Sequence, residues 1–264
     1  MVVARTRTER LIVTRVTPEG SRRRPDELIV EEPVTIQLDG TVVSTTMRTP
    51  GNDYELAAGW CLTEGLLAGA PVTGVRYCAD GSAAASNFNV VTVETGGRAP
   101  TPTARLGTTS SSCGWCGSDQ IDELIERLAP LPPSEPIDLD VLGAVPARVL
   151  GGQGLFGATG AVHAAAAFDR AGAVILTRED VGRHNAVDKV VGALLFEGAL
   201  PATGHGLFVS GRASVEMVQK AWAAGFGTLV SVSAPTALAV HAARRAGMTL
   251  VGFVRADGFN VYAS

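Results

Sequence analysis

Residues 207–255 read LFVSGRASVEMVQKAWAAGFGTLVSVSAPTALAVHAARRAGMTLVGFVR. Leu207–Ser210, Thr228–Ser233 and Thr249–Arg255 read as short strands. Ser214–Ala224 and Thr236–Ala246 between them carry apolar residues at helical spacing. Strand–helix alternation with short connections predicts an α/β fold, with strands gathered in one parallel sheet. Upstream, Gly160–Phe168 and Ala173–Thr177 read as strands joined at Asp169-Arg170-Ala171-Gly172, and Asn185–Phe196 as a helix. Phe259–Tyr262 is expected at the sheet edge.

The first half has a different rhythm. Residues 1–9 read as frayed, and Arg22-Arg23-Arg24 as a solvated turn before Pro25. Val34–Met47 predicts a hairpin turning at Asp39-Gly40, a strong two-residue turn pair. A helix is expected after Pro50-Gly51, capped by Asn52 or Asp53, with Leu56, Trp60 and Leu67 on one face. Val72–Ala79 and Asn87–Val93 read as strands, and Gly96–Ser112 as a mobile Gly/Ser/Thr-rich loop. A helix follows, capped by Ser118 or Asp119, with Ile121, Leu124, Ile125 and Leu128 facing inward. Four prolines within residues 130–136 mark a domain boundary, dividing the chain into 1–135 and 136–264.

Composition excludes several classes. The 264 residues carry 22 basic and 26 acidic side chains, a formal net charge of −4, against the basic footprint of a nucleic-acid binder. Lys189 and Lys220 are the only lysines, so every other basic residue is Arg. Four cysteines, Cys61, Cys78, Cys113 and Cys116, are too few for a secreted disulfide scaffold. The N-terminal arginines precede no apolar core, unlike a signal peptide, and no apolar run reaches the ~18 residues of a membrane span. A cytoplasmic protein with reduced thiols is expected.

Cys113-Gly-Trp-Cys116 is the sharpest local feature, and three chemistries use its spacing. Two thiolates make half a zinc site, but Cys61 and Cys78 would have to complete it, and both read as buried small hydrophobes. A thioredoxin-like redox pair opens a helix after a strand, whereas this motif follows a long loop. A sulfur carrier needs an activated thiolate that attacks a persulfide donor, with a second Cys to release the sulfur by exchange.

Two other matches fail on spacing. Gly152-Gln-Gly154-Leu-Phe-Gly157 fits a dinucleotide fingerprint, but eleven residues between Gly157 and Asp169 cannot hold a crossover helix and a strand. It reads as a flexible approach to the next strand. His163-Ala-Ala lacks the Glu of a zinc deaminase, so no catalytic zinc is expected. His163 reads as a hydrogen-bonded core histidine.

The turns at Arg178–Lys189, Ser210–Ser214 and Ser233–Thr236 each join a strand to a helix. Their helix N-termini, with Arg183 and Arg212, predict an anion-binding, nucleotide-like site. Asp180 and Asp188 offer Arg183 a structural ion pair instead.

These segments together resemble the FdhD family of formate dehydrogenase accessory sulfur carriers. The resemblance runs from Glu31-Glu32-Pro33 to Tyr262. It rests on Thr49–Ala57, Ser112–Gly117, Ala158–His163, Arg178–Lys189, Ser210–Ser214, Ser231–Thr236 and Gly252–Arg255. It implies a cytidine-deaminase-like three-layer C-terminal domain, without zinc, behind a smaller α+β N-terminal domain. It implies sulfur received from a cysteine desulfurase, Cys113 as the persulfide-bearing residue and Cys116 as its partner. The implied cargo is a molybdenum cofactor, bis(molybdopterin guanine dinucleotide), sulfurated before insertion into formate dehydrogenase. The implied cofactor stretch is Phe253, Val254, Arg255, Ala256, Asp257 and Gly258, joined by Arg183, His184, Asn185, Ser210, Arg212 and Ser233. GDP is the expected analogue, preferred over adenine nucleotides, and a homodimer the expected assembly, without membrane or nucleic acid. The alternative is a non-catalytic chaperone that binds the cofactor without covalent sulfur.

Overall fold

The computed structural model describes residues 6–78, 83, 86–102, 128–133 and 135–264. The first two strands correct the sequence reading. Thr8–Thr17 (β1) and Gly20–Ile29 (β2) pair antiparallel over ten residues each, so Arg22–Arg24 lie in a strand rather than a loop. Pro25 is tolerated inside β2 because a two-stranded ribbon has an open edge on each strand, where a missing N–H breaks no ladder.

The expected hairpin is Glu32–Leu38 (β3) and Thr41–Arg48 (β4). Asp39 and Gly40 both hold positive φ, 46° and 85°, the twist that a two-residue hairpin requires. Gly74–Tyr77 (β5) and Val90–Glu94 (β6) complete a four-stranded sheet in the order β4-β3-β6-β5. Val34, Ile36 and Leu38 alternate onto one face and bury against Leu56, Ala57 and Cys61 of helix Asp53–Thr63 (α1). That helix stops before Leu67, which packs from the following turn. The Ser118–Leu128 helix lies outside the described residues except at Leu128.

The second half opens with three short helices that sequence periodicity did not show: Leu139–Leu142 (α2), Val145–Leu150 (α3) and Gly154–Thr159 (α4). The strands are His163–Phe168 (β7), Val174–Asp180 (β8), Gly206–Val209 (β9), Thr228–Ser231 (β10), Thr249–Arg255 (β11) and Gly258–Ala263 (β12). They form one sheet in the order β12-β11-β10-β9-β7-β8. Only β9, β10 and β11 run parallel; β7, β8 and β12 run antiparallel to their neighbours, so the sheet is mixed.

Both faces of this sheet are covered. Ala165, Ala167, Leu207, Val209, Leu229 and Leu250 point to a layer of Arg183–Phe196 (α5), Val215–Ala223 (α6) and Ala237–Ala246 (α7). The alternate residues Ala166, Phe168, Phe208, Val230 and Val251 point to α2 and α3, through Leu142, Val145 and Val149. The second half is thus a three-layer α/β/α sandwich.

The halves meet where α1 crosses α5. A Cβ on Gly59 would sit inside the Asp188 carbonyl, and one on Gly192 inside the Glu55 carbonyl. The two helix backbones therefore touch. Helix propensity alone favours Ala over Gly by about 1 kcal/mol. The crossing reverses that sign: Gly59→Ala and Gly192→Ala should each destabilise by about 3 kcal/mol or more. Denaturant unfolding of the two variants reads this directly; a gain in stability would show that the helices do not touch.

Candidate functional site

Asp180, at the end of β8, is completely buried and organises the junction. Its carboxylate accepts the Gly182 N–H at 2.8 Å, the Asn185 amide at 2.9 Å and the Thr49 N–H at 3.1 Å, and pairs with Lys189 at 2.7 Å. Lys189 also donates to the Thr49 carbonyl at 3.0 Å, and Val181 N–H to the Thr49 hydroxyl at 3.0 Å. The Thr49-Pro50-Gly51 turn of the first half is thereby pinned to the start of α5. A second buried centre lies one turn further on. Lys220 of α6 donates to both Asp188 oxygens at 2.9 Å and to Glu64 at 3.1 Å, while the Thr63 hydroxyl donates to Asp188 at 2.8 Å. Burial pushes the Asp188 carboxyl up to about 6, with the Lys220 ammonium opposing. Both lysines of the chain are thus buried cations that tie the halves together. Asp180 and Asp188 are committed to them, which leaves Arg183 without the ion pair considered above.

Beside this frame a cavity of about 710 Å³ opens along the edge where β8, β9, β10 and β11 end and β7 begins. Val181, Ser210, Val232, Val254 and Arg255 come from those strand ends, and His163 from the start of β7. Pro146, Ala147 and Leu150 of α3, with Gln153 and Phe156 at α4, form the opposite wall. In a doubly covered sheet this edge is where ligands bind, because adjacent connections leave a crevice there. The α4 wall is held by one carboxylate. Glu179 accepts the Leu155 and Phe156 N–H groups at 3.0 and 2.8 Å.

The predicted residues divide into groups. Ser210, Val254 and Arg255 line the cavity. Arg255 donates to the Val232 and Val254 carbonyls, both at 2.8 Å, which fixes its stem across the strand ends. Phe253 holds φ 56°, in the left-handed region, at an irregularity between β11 and β12; Ala256 and Asp257 follow in the exposed turn, and Gly258 opens β12. Such backbone strain is concentrated at ligand sites. Arg183 and His163 both border Gly211: a Cβ there would lie 3.3 Å from Arg183 Cδ and 3.6 Å from the His163 ring. Arg183 Nε is buried and meets no partner among the described residues. Arg212 is exposed at the opening of α6, and His184 is half-buried in the first turn of α5. Asn185 is turned away, donating to the Met47 carbonyl at 2.8 Å and to Asp180, so it braces the frame. Ser233 closes the turn after β10, with its carbonyl accepting from Ser231 and Phe253. Of the three helix N-termini, α7 is capped by the Thr236 hydroxyl, which accepts the Ala239 N–H at 3.2 Å. Gly182 and Ser214 give α5 and α6 no such side-chain cap, and at α6 the Glu216 carboxylate in the first turn takes its own backbone N–H. Cys113 and Cys116 lie outside the described residues.

Sequence reasoning missed Gln153 and Phe156, set aside with the failed dinucleotide match, and His163, read as core. Burial and the nearby Arg183 hold the His163 pKa below that of free imidazole, with Asp180 opposing.

The matching family model, FdhD/NarQ, covers residues 29–264. The chain belongs to the FdhD/NarQ family. It is 46% identical over 262 residues to "Sulfur carrier protein FdhD" of Nocardia farcinica, covering 97% of this chain and 93% of that one. It is 44% identical to the protein of the same name from Mycolicibacterium paratuberculosis, covering 97% and 96%. The fold matches the crystal structure of a formate dehydrogenase accessory protein from Desulfotalea psychrophila, with a TM-score of 0.78, 23% identity and 98% of each chain covered. Among the described residues no helix is long and apolar enough to cross a membrane.

Two outcomes test this geometry. Lys220→Met strands the buried Asp188 and Glu64 charges and should cost about 3–5 kcal/mol of stability, part of which Asp188→Asn in the same chain restores. Unfolding of the single and double variants measures it; additive losses would mean that the pair is not coupled. His163 should titrate below the ordinary 6.5 by NMR. Its unfolded form then binds the proton more readily, so its contribution to stability falls as pH drops below 6.5 towards its folded value.

Proposed function

We propose that this protein is a sulfurtransferase that takes sulfur from a cysteine desulfurase as a Cys113 persulfide. It passes that sulfur to the molybdenum cofactor before the cofactor enters formate dehydrogenase, acting in the cytoplasm as a homodimer. Membership of a family whose relatives at 44–46% identity are named sulfur carriers is the observation that supports this most directly. The cysteines add a physical argument. Cys61 and Cys78 are buried, and burial pushes the Cys61 thiol far up. Sulfur exchange needs an accessible thiolate, so the load falls on Cys113 and Cys116. The Cys113 thiolate attacks the outer sulfur of the donor persulfide, the donor S–S bond breaks and the donor cysteine leaves as thiolate. When Cys116 then attacks the inner sulfur, the outer one departs as sulfide and a Cys113–Cys116 disulfide remains.

The cargo reading is consistent with the cavity. Small-molecule sites run from roughly 300 to 1,000 Å³. At about 710 Å³ the cavity suits one nucleotide-sized part of bis(molybdopterin guanine dinucleotide) rather than the whole. Its apolar walls suit a ring system. Arg183, Arg212 and the N-terminus of α5, which has no acidic residue in its first turn, offer positive potential to phosphates.

Intact mass after treatment with desulfurase and cysteine should show one added sulfur, absent in Cys113→Ala. That variant should lose formate dehydrogenase activation while its GDP affinity stays near wild type. Arg212→Ala and Arg183→Ala should load sulfur normally and bind GDP about tenfold or more weakly, the cost of one charge-assisted hydrogen bond. Activation that survives Cys113→Ala would overturn sulfur transfer in favour of a non-catalytic chaperone.

A further inference from the structure

We propose that the β1–β2 ribbon is a docking arm whose basic and apolar outer half seats on an acidic surface of the client formate dehydrogenase. This rests on the cargo reading above, since the arm holds the enzyme that receives the cargo.

The ribbon is planted beside the cavity. β2 packs against α4, the helix that walls the cavity through Phe156. At the base the Val30 N–H donates to the Arg7 carbonyl at 2.9 Å. Arg7 lies over the Thr49-Pro50-Gly51 turn, where a Cβ on Gly51 would stand 3.3 Å from Arg7 Nε. From there ten residue pairs run out to the turn at Pro18-Glu19, and neither strand joins another sheet. At roughly 3.3 Å per residue the arm is about 30 Å long.

Residues directly opposite in such a pair share a face. One face carries Ile12 opposite Pro25, then Thr14 opposite Arg23, then Val16. Ile12 is 58% exposed and Val16 74%. The other face carries Val13 opposite Arg24, then Arg15 opposite Arg22, a like-charged pair that weakens the ribbon. Among the described residues Arg15, Arg22 and Arg23 have no carboxylate partner, and Arg24 meets Asp26 only at 3.7 Å. Glu19 is the one acid between Ile12 and Arg24. A free two-stranded ribbon is marginally stable in water. Exposed apolar side chains set among arginines are the kind of surface that a partner covers.

Charge selects the partner. The chain carries a formal charge of −4 although the outer half of the arm is basic, so the body beside the arm repels a phosphate polymer or an anionic membrane. Ile12, Pro25 and Val16 between the guanidinium groups suit a protein patch with carboxylates around an apolar strip. The client is the protein that must come to the cavity, where the arm stands.

Affinity of the full chain for formate dehydrogenase produced without its cofactor tests this. Arg15→Glu places an opposite charge across from Arg22, so the ribbon should keep its amide-exchange protection or gain some, while client binding weakens about threefold. Arg15→Glu with Arg23→Glu should weaken it about tenfold or more, with a smaller loss at high salt. Ile12→Ser with Val16→Ser should weaken it about tenfold at any salt. Should that pair unfold the ribbon, the arginine variants carry the test. GDP affinity and sulfur loading by the desulfurase should stay at wild-type values throughout. Unchanged client affinity in the arginine variants overturns the arm. So does loss of sulfur loading in its place, which would make the donor the occupant, or a lower sedimentation mass, which would make it a second copy. Ribbon-dependent binding of the wild type to duplex DNA or phosphatidylglycerol vesicles, without client binding, overturns it too. Absence of client binding while GDP still binds overturns the arm alone; absence of GDP binding while the client still binds overturns the cargo reading and leaves the arm.

Discussion

Everything in this molecule is arranged around two glycines. Gly59 and Gly192 let α1 and α5 cross with their backbones in contact. No side chain separates the helices there, so the four-stranded sheet rides directly on the helical layer of the six-stranded one. That closeness brings Thr63 and Glu64 onto α6 and Thr49 onto the start of α5. The buried lysines follow from it. A compact ammonium on a long stem can reach into such a seam, and each meets at least one carboxylate there. Removing water from a pair is tolerable only with complete pairing. Asp180 and Asp188 achieve it through several further donors.

The same frame positions the cavity. Asp180 fixes the turn into α5, which sets Arg183 beside His163, while Glu179 next to it pins the backbone of α4. One strand end therefore carries both the junction and the cavity wall. The polar groups on the cavity are few, and most are tied to backbone, as with Arg255. Among the described residues the Gln153 amide and His163 Nε2 have no hydrogen-bond partner.

The alternating pattern after Gly160 was legible because each strand is short, apolar and bounded by Gly, Pro or Ser. Asp39-Gly40 announced its hairpin because only such residues accept two successive positive φ angles. The helices α2 to α4 were not legible. They span four to six residues, too short for a periodic signal, and Gly154–Thr159 buries nothing. The ribbon β1–β2 was missed because charged residues interrupt both strands and neither shows the apolar alternation of a half-buried strand. Asn185 looked like a ligand group by its company, but its partners Met47 and Asp180 are 138 and 5 residues away, and only the folded chain brings them together.

By itself the sequence determined the class of fold, the hairpin, the CxxC pair and the family, because these rest on local spacing and on ordered motifs. Tertiary structure decided which polar residues are scaffold and which face a ligand. Lys189, Lys220, Asp180 and Asp188 sit in the same charged run or its neighbour as Arg183, yet they are consumed by buried pairs. His163, read as a core histidine, and Gln153, read as part of a flexible approach, instead face the cavity. Burial and partnership are properties of three-dimensional contact, and one-dimensional spacing carries neither.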